Sequence, residues 1–226
     1  MTFRDYSETT IRGNAATPQP GQRRRAIYRN GAKRCFDIVL VVLMLPVALP
    51  LILAMLCLVA RDRHNPLYFQ KRLGRGGRIF YMAKIRTMVP GADALLEQHL
   101  RHDPEARREW DEAQKLKRDP RITRIGCFLR KSSLDELPQL WNVLRGDMSL
   151  VGPRPMMVDQ KPLYPGTAYF ELRPGITGLW QISERNEASF AERAGFDSRY
   201  LASLSLSQDV SILLRTVSVV LRGTGY

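Results

Sequence analysis

The sequence predicts a mainly helical α+β protein, in which a small domain with a β-hairpin is anchored by an N-terminal membrane helix and by interfacial amphipathic helices. Three observations predict this class. Residues 38–60 are apolar and uncharged, two aromatic-rich runs separated by glycines follow them, and charged helical patterns occupy much of the remainder. At 226 residues the chain is long enough for one domain with appendages and too short for two ordinary domains.

The apolar stretch has the length of a membrane helix. Residues 38–60 form a run of 23 residues, and about 20 are needed to cross the hydrocarbon core. Pro46 and Pro50 each remove a backbone donor there, which favours a bend or break. Both flanks are basic, whereas the positive-inside rule places basic residues on one side. We therefore predict that residues 33–65 form a re-entrant helix that bends at these prolines. A kinked transmembrane helix and a buried core helix are the alternatives.

The positive charge of the chain lies on either side of this stretch. The net charge is +13, and residues 1–37 hold 8 Lys/Arg against 3 Asp/Glu while residues 61–90 hold 8 against 1. Such flanks are typical of contact with anionic lipid headgroups, at about 1 kcal/mol per basic residue near the surface. A nucleic-acid-binding protein would carry its basic residues on a folded recognition face, so we expect no nucleic-acid partner. Residues 1–32 have few apolar side chains and are predicted to be disordered.

A β-hairpin is predicted at the start of the remaining domain, residues 66–226. Residues 67–69 and 78–82 are aromatic-rich, and the glycine-rich residues 73–77 separate them. Aromatic runs joined by glycines indicate two strands and a turn. A glycine-rich phosphate loop is the alternative, but the spacings of the known phosphate-binding loops are absent.

Helical patterns occupy much of the rest of this domain. Residues 91–118 are charged and helical, with Asp103 and Pro104 placed to end one helix and start the next. Residues 207–222 carry apolar side chains on one helical face. This pattern indicates either an interfacial helix or a helix packed on the core.

The cysteines indicate a reducing compartment. The three cysteines form an odd number and show no CxxC spacing. A disulfide framework and a zinc site are therefore disfavoured, and a cytoplasmic location fits.

Two adjacent carboxylates, Asp135 and Glu136, lie in the densest part of the sequence. Pro138 favours the first turn of a helix and Gly146 favours its end. The carboxylates are thus predicted just ahead of, or on, a helix N-terminus, where the backbone amides favour the ionised form. A structural alternative remains open, because Ser133 and Glu136 have the spacing of a capping box.

A rigid arginine follows the carboxylates. Arg154 stands between Pro153 and Pro155, and a planar guanidinium held in place suits a phosphate ligand. A structural arginine in a rigid turn is the alternative. Lys84 and Arg86 near the end of the second predicted strand could add positive charge to the same site. Carboxylates of this kind could also hold Mg²⁺ together with substrate phosphates. Together with the anchor, these residues indicate diphosphate chemistry on a lipid.

At this point the sequence resembles the bacterial sugar transferase family, the monotopic polyprenyl-phosphate phosphoglycosyl transferases, over residues 33–226. Its short length is similar to that of the exopolysaccharide-initiating members. The motifs that carry the resemblance are Lys33-Arg34-x-Phe36-Asp37, Lys84-x-Arg86-Thr87-Met88, Asp119-Pro120-Arg121-Ile122-Thr123-x-x-Gly126, Ser133-Leu134-Asp135-Glu136-Leu137-Pro138-Gln139, Gly146-Asp147-Met148-Ser149-Leu150-Val151-Gly152-Pro153-Arg154-Pro155 and Arg173-Pro174-Gly175-Ile176-Thr177-Gly178.

The resemblance implies a two-step transfer at the cytoplasmic face of a bacterial inner membrane. Asp135 would attack the sugar-proximal phosphorus of a UDP-sugar, release UMP and form a covalent phosphosugar intermediate. Undecaprenyl phosphate would then accept the phosphosugar, in the first membrane step of exopolysaccharide biosynthesis. Glu136 would act as metal ligand or acid/base, Asp135 and Glu136 would hold Mg²⁺, and Arg154 would bind a phosphate. Galactose or glucose is the expected sugar, anionic lipids are expected partners, and a homo-oligomer is an open expectation.

One departure and two rival functions remain. The family commonly breaks its membrane helix at Ser-Pro, whereas this chain has Leu49-Pro50 with Pro46 upstream. A leucine offers no hydroxyl to a freed carbonyl, so the geometry of the bend stays open. The rival functions are a non-catalytic membrane scaffold of a polysaccharide assembly complex and a phosphodiester hydrolase.

Overall fold

The computed structural model describes residues 27–113, 116, 118–183 and 192–221. Most of the segment predicted to be disordered, residues 1–26, lies outside this range. Its last residues are ordered, because a π-helical turn over Tyr28–Ala32 leads directly into the apolar helix. Ordered structure therefore begins before the predicted boundary at residue 33.

The apolar helix α1 spans Lys33–Val59 and is followed by a 3₁₀ turn over Ala60–Asp62. Within the described residues, one helix is long and apolar enough to cross a membrane, and it is this one. The helix continues without interruption through Pro46 and Pro50. The two prolines therefore do not end it, and the predicted re-entrant bend remains a prediction.

Helix α1 packs on the domain along its length. Val41 and Ala48 belong to the main hydrophobic core, and Val59 packs in a second cluster with Ile85 and Leu129. The other side of α1 is exposed. Its exposed large apolar residues are Ile38, Val39, Val42, Leu43, Met44, Val47, Leu49 and Leu53.

Polar contacts hold both ends of α1 to the same domain. Near its start, the Nζ atom of Lys33 lies 2.6 Å from Oδ2 of the buried Asp209. Beyond its end, the guanidinium of Arg86 contacts both carboxylate oxygens of Asp62, at 2.6 and 2.7 Å. The domain thus contacts the apolar helix from one end to the other.

The predicted hairpin is confirmed and is longer than its aromatic runs. Strand β1 spans Leu67–Leu73 and pairs antiparallel with β2, Ile79–Ile85, through a turn over Arg75–Gly77. Its pairing sets Arg72 opposite Phe80 and Tyr68 opposite Lys84, so Arg72 and Lys84 lie on one face of the hairpin.

The predicted helix boundary at Asp103 is also confirmed. Helix α2 spans Ala92–His102 and α3 spans Pro104–Ala113. The Asp103 carboxylate accepts hydrogen bonds from the amides of Glu105 and Ala106, both at 3.0 Å. An aspartate in this position satisfies backbone donors that the first helical turn leaves unpaired.

Short elements complete the domain, and its main core lies between them and α1. In chain order these elements are α4 Arg124–Ser132, a 3₁₀ turn Leu134–Glu136, α5 Gln139–Arg145, β3 Ser149–Val151, a 3₁₀ turn Lys161–Leu163, α6 Ala168–Glu171, β4 Gly175–Thr177, α7 Leu179–Ser183, α8 Arg193–Ser203 and α9 Leu206–Leu221. The two further strands, β3 and β4, pair in parallel, and β3 leads into the segment that carries Arg154.

Helix α9 combines the two alternatives that its sequence left open. Ile212 is 1% exposed in the main core, whereas Leu214 is 67% and Val217 57% exposed. One face of α9 therefore packs on the core and another presents apolar side chains outward. The mainly helical α+β class predicted from the sequence is confirmed.

Candidate active site

The adjacent carboxylates lie on the 3₁₀ turn just ahead of α5, as predicted. The capping-box alternative is not realised. Ser133 has a φ of 56°, which ends α4 in the left-handed region, and its side chain makes no cap hydrogen bond. Gly146, with a φ of 95°, ends α5 at the predicted position. The pair Asp135 and Glu136 is thus presented by a sharp turn between two helices.

Asp135 is buried, with 7% of its surface exposed. Burial raises the pKa of this carboxyl to about 6, and the neighbouring Glu136 raises it further, while Lys84 and Arg130 oppose the rise. Desolvation disfavours the charged form, whereas nearby cations favour it. The carboxyl is therefore mostly ionised at neutral pH but poorly solvated, which suits a nucleophile.

Glu136 forms an ion pair with Lys84, whose Nζ atom lies 2.8 Å from Oε1 of the glutamate. Lys84 lies near the end of β2, and the Asn142 side chain fixes this strand. The amide of Ala83 donates to Oδ1 of Asn142 at 2.9 Å, and Nδ2 of Asn142 donates to the carbonyl of Tyr81 at 2.8 Å. Helix α5 therefore positions the lysine as well as the carboxylates.

The arginine segment after β3 is held by its backbone. The amide of Gly152 donates to the Thr177 carbonyl at 2.9 Å. The Arg154 carbonyl accepts from the guanidinium of Arg193 at 3.0 Å, and the Pro155 carbonyl accepts from Arg72 at 3.1 Å.

The Arg154 side chain lies over the indole of Trp180, with its guanidinium carbon 5.8 Å from the ring centroid. The guanidinium of Arg193 lies over the same ring at 5.0 Å. Such contacts attract a cation to the face of the ring. The segment therefore presents Arg154 in a defined orientation.

One pocket brings three of the predicted residues together: Lys84, Glu136 and Arg154. Asp135 is adjacent to Glu136 in the chain but does not line this pocket. The full set of lining residues is Arg72, Met82, Lys84, Glu136, Gln139, Arg154, Pro155 and Ile176.

The structure does not bring Arg86 into this pocket. Its guanidinium contacts the carboxylate of Asp62, and its Nε atom donates to the carbonyl of Asn65 at 2.9 Å. Arg86 thus ties the end of the hairpin to the segment that follows α1. Its predicted role as a phosphate ligand has no geometric support.

Two lining residues, Arg72 and Gln139, were not singled out from the sequence. Arg72 shares a face of the hairpin with Lys84, and an alternating strand pattern extended beyond the aromatic run would have found it. Gln139 lies one turn after the carboxylates on α5. No local pattern distinguishes it from any other glutamine at a helix start.

The donor set fits Mg²⁺ only if a substrate contributes ligands. Among the described residues no group of three or more His, Cys, Asp or Glu side chains could hold a metal. Asp135 and Glu136 alone offer two adjacent carboxylates. Mg²⁺ is commonly bound by one or two carboxylates together with substrate phosphates and water. Shared binding with a phosphorylated ligand is therefore compatible with this site.

The fold and the pocket define a domain carried on a long apolar helix, with carboxylates and cations gathered at one site. A family model described as bacterial sugar transferase matches residues 28–223. The chain belongs to this family, which confirms the resemblance seen in the sequence.

Individual relatives extend this comparison. A UDP-galactose-lipid carrier transferase of Erwinia amylovora is 51% identical over 195 residues, which cover 85% of this chain and 41% of that protein. The chain thus spans about two fifths of that relative's length. The exopolysaccharide production protein ExoY of Rhizobium meliloti is 45% identical over 86% of this chain and 87% of its own length. A UDP-glucose:undecaprenyl-phosphate glucose-1-phosphate transferase of Caulobacter vibrioides is 36% identical over 91% of this chain and 75% of its own length.

Proposed function

We propose that this protein transfers a hexose 1-phosphate, of galactose or glucose, from a UDP-sugar to undecaprenyl phosphate and releases UMP. The observation that carries the proposal is the adjacency of Asp135 and Glu136 beside a pocket lined by Lys84, Arg72 and Arg154. A diphosphate needs cations to bind it, and its cleavage needs a nucleophile next to them. The names of the relatives support the substrate classes, and ExoY supports a role in exopolysaccharide synthesis.

The reaction proceeds in two displacements. A carboxylate oxygen of Asp135 attacks the phosphorus that carries the sugar, the bond from this phosphorus to the bridging oxygen breaks, and UMP leaves with the electron pair. An oxygen of undecaprenyl phosphate then attacks the same phosphorus, and the bond to Asp135 breaks. The products are the lipid diphosphate sugar and the free carboxylate.

The other residues act on charge. Lys84 would contact oxygens of the attacked phosphoryl group, because it lines the pocket and its Nζ atom lies 2.8 Å from Oε1 of Glu136. Arg154 binds a phosphate through its planar group of donors. Asp135 and Glu136 would hold Mg²⁺ together with the diphosphate. The metal supplies neutralisation of the charge on the phosphate oxygens.

We propose in addition that α1 is re-entrant and that the domain lies on the cytoplasmic face of the inner membrane. A straight helix over Lys33–Val59 would be about 40 Å long at about 1.5 Å per residue, enough to place its ends on opposite sides of a bilayer. Both ends nevertheless contact the same domain, through Lys33 and Asp209 at one end and Val59 and Ile85 at the other. These contacts are compatible with an arrangement in which both ends of α1 lie on the same side of the membrane. The basic residues that flank α1 would then contact anionic lipids.

The reaction is tested with the full chain in detergent, Mg²⁺ and a panel of UDP-sugars, with and without undecaprenyl phosphate. We expect UMP and a lipid-linked sugar in equal amounts, with multiple turnover only when the lipid is present. Lipid-independent multiple turnover would identify a hydrolase. Absence of UMP from every UDP-sugar would identify a scaffold.

The nucleophile is tested by mapping the covalent intermediate. Incubation with the active UDP-sugar and no lipid acceptor should add one phosphosugar to the chain, and peptide mass spectrometry should place it on Asp135. Asp135→Asn should lose both the adduct and turnover, while the exposed Asp111→Asn on α3 retains them. An adduct on Glu136, which lines the pocket, would refute the assignment.

The topology is tested with single cysteines in a background from which the three native cysteines are removed. Ile27→Cys and Lys71→Cys flank α1 at exposed positions. Both should react with a membrane-impermeant maleimide in inverted vesicles, and neither should react in intact cells treated to open the outer membrane. Reaction from opposite sides would establish a transmembrane helix.

A further inference from the structure

The pocket contains a buried donor without a partner. Gln139 is 2% exposed and lines the pocket, and its Nε2 atom is buried without a hydrogen-bond partner among the described residues. A buried polar group left unpaired costs about 1–3 kcal/mol, so such groups are uncommon in folded proteins. An amide nitrogen offers two donor hydrogens and no acceptor, so the ligand it fits is an oxygen acceptor.

Arg72 is a partly buried cation whose hydrogen bonds go to neutral acceptors. One terminal nitrogen donates to the Pro155 carbonyl at 3.1 Å and the other donates to Oε1 of Gln70 at 2.6 Å, while the Nε atom is buried without a partner. Burial lowers the pKa of this guanidinium to about 10, and the positive charge of Arg154 lowers it further. Across the described part of the chain no carboxylate lies within ion-pair distance of Arg72.

The charges divide the pocket into two ends. At one end Lys84 pairs with Glu136 and acts on the charge of Asp135. At the other end Arg72 contacts the backbone beside Arg154, and these two cations repel each other. Among the described residues, Lys84 thus has a carboxylate partner at the first end, whereas Arg72 has none at the second.

We propose that Arg72 and Gln139 bind the nucleotide-side phosphate of the donor and hold UMP as it leaves, with Arg154 beside them. This inference depends on the proposed function, since it divides the two phosphates of a UDP-sugar between the two ends of the pocket. The sugar-side phosphorus lies at the Asp135 end. When its bond to the bridging oxygen breaks, negative charge develops on the other phosphate, where preorganised donors stabilise it most.

UMP is the probe for this site, because it carries the phosphate in question and lacks the sugar-side one. Isothermal titration of UMP into the full chain in detergent should give a Kd that rises at least tenfold in Arg72→Gln and in Gln139→Leu. This change corresponds to the loss of one hydrogen bond to a charged group. The exposed Arg75→Gln and Gln98→Leu are matched controls and should bind within twofold of the unchanged protein.

Uridine, which has no phosphate, distinguishes a loss of phosphate contacts from a general loss of nucleoside binding in the variants. Its affinity should be the same for the unchanged protein and for both variants. An equal loss of uridine and UMP binding would overturn the proposal, as would an unaltered Kd for UMP or an unchanged protein that does not bind UMP at all.

A second pair of variants covers the case in which the first does not fold. Arg72→Lys keeps the charge but loses the planar donors, and should bind UMP more weakly than the unchanged protein. Gln139→Glu keeps the volume and adds repulsion, and should weaken UMP binding more than Gln139→Leu. Gln139→Glu with undiminished UMP binding would refute the proposal.

A protein that binds UMP through these residues but forms no UMP from any UDP-sugar would refute the proposed reaction and leave the proposed UMP site intact.

Discussion

The hydroxyl of Ser149 donates to Oδ2 of Asp37 at 2.7 Å, and so joins the first turns of α1 to strand β3. Both residues are buried at 1% exposure, and Oδ1 of Asp37 accepts from the amide of Leu150 at 3.2 Å. Strand β3 leads directly into the segment that carries Arg154. The apolar helix and the segment that carries Arg154, the proposed phosphate ligand, are therefore connected through one buried carboxylate.

Ser149→Ala should lower the free energy of unfolding by about 1–3 kcal/mol, because it leaves one oxygen of a buried carboxylate without its hydroxyl donor. The measurement is thermal unfolding in detergent. Ser218→Ala, at an exposed position on α9, is the matched control and should change little. Equal thermal unfolding midpoints for Ser149→Ala and the control would show that the hydrogen bond between Ser149 and Asp37 contributes nothing to stability.

Asn142→Leu should impair both stability and turnover. The variant leaves the amide of Ala83 and the carbonyl of Tyr81 without their side-chain partners, at about 1–3 kcal/mol for each unpaired group. Lys84 follows Ala83, so a shift of β2 also displaces the lysine and lowers kcat/KM. Unfolding midpoints and UMP release measure the two effects. Gln98 is an exposed residue on α2, and Gln98→Leu should have the unfolding midpoint and the UMP release of the unchanged protein.

Gly152→Ala should destabilise the protein and reduce turnover. A Cβ atom at this position would lie 2.3 Å from the Arg173 carbonyl oxygen, a contact that forces β3 and β4 apart. Overpacking of this kind costs about 1–3 kcal/mol. Gly195→Ala on α8 is the informative control, since nothing lies within 4 Å of its added Cβ and alanine favours a helix. The two variants should therefore shift the unfolding midpoint in opposite directions.

Asp197 predicts a pH dependence of stability. Burial raises the pKa of this carboxyl to about 6, against the opposing hydrogen bond from Tyr164 and the charge of Arg193. The folded state therefore binds more protons than the unfolded state between about pH 4 and 6, so this group lowers stability as the pH rises through that window. This shift in pKa lowers the free energy of unfolding by roughly 3 kcal/mol, and the full loss is reached above pH 6.

The corresponding measurement compares Asp197→Asn with the unchanged protein at pH 4 and pH 7.5. The amide keeps an acceptor for Tyr164 and carries no charge. Its unfolding midpoint, relative to that of the unchanged protein, should therefore be higher at pH 7.5 than at pH 4. If the unfolding midpoints of Asp197→Asn and the unchanged protein differ by the same amount at both pH values, the pKa of Asp197 is not raised.

Local patterns in the sequence predicted the elements that local chemistry determines. The hairpin, the helix boundary at Asp103 and the end of α5 at Gly146 all follow from turn and cap residues within a few positions. The capping box at Ser133 is a local pattern that failed. The end of α4 places Ser133 in the left-handed region, so its side chain makes no cap bond to the next turn.

Contacts between distant segments could not be predicted in the same way. Arg86 was expected among the phosphate ligands, but it pairs with Asp62, 24 residues away. Arg72 and Gln139 enter the pocket through the strand register and the approach of α5 to β2, which no single segment encodes. Pro46 and Pro50 were expected to bend or break α1. Both are exposed on a helix that continues through them and packs on the domain on either side, and the bend itself remains a prediction.

The contact between Lys33 and Asp209 has a consequence for biosynthesis. Asp209 is fully buried and also accepts hydrogen bonds from Tyr28 at 2.7 Å and Tyr200 at 2.6 Å. A ribosome completes the lysine 176 residues before the aspartate. The apolar helix is therefore synthesised before the buried counter-charge of Lys33 exists. Its final seating on the domain waits for α9, which makes that docking a late step in maturation.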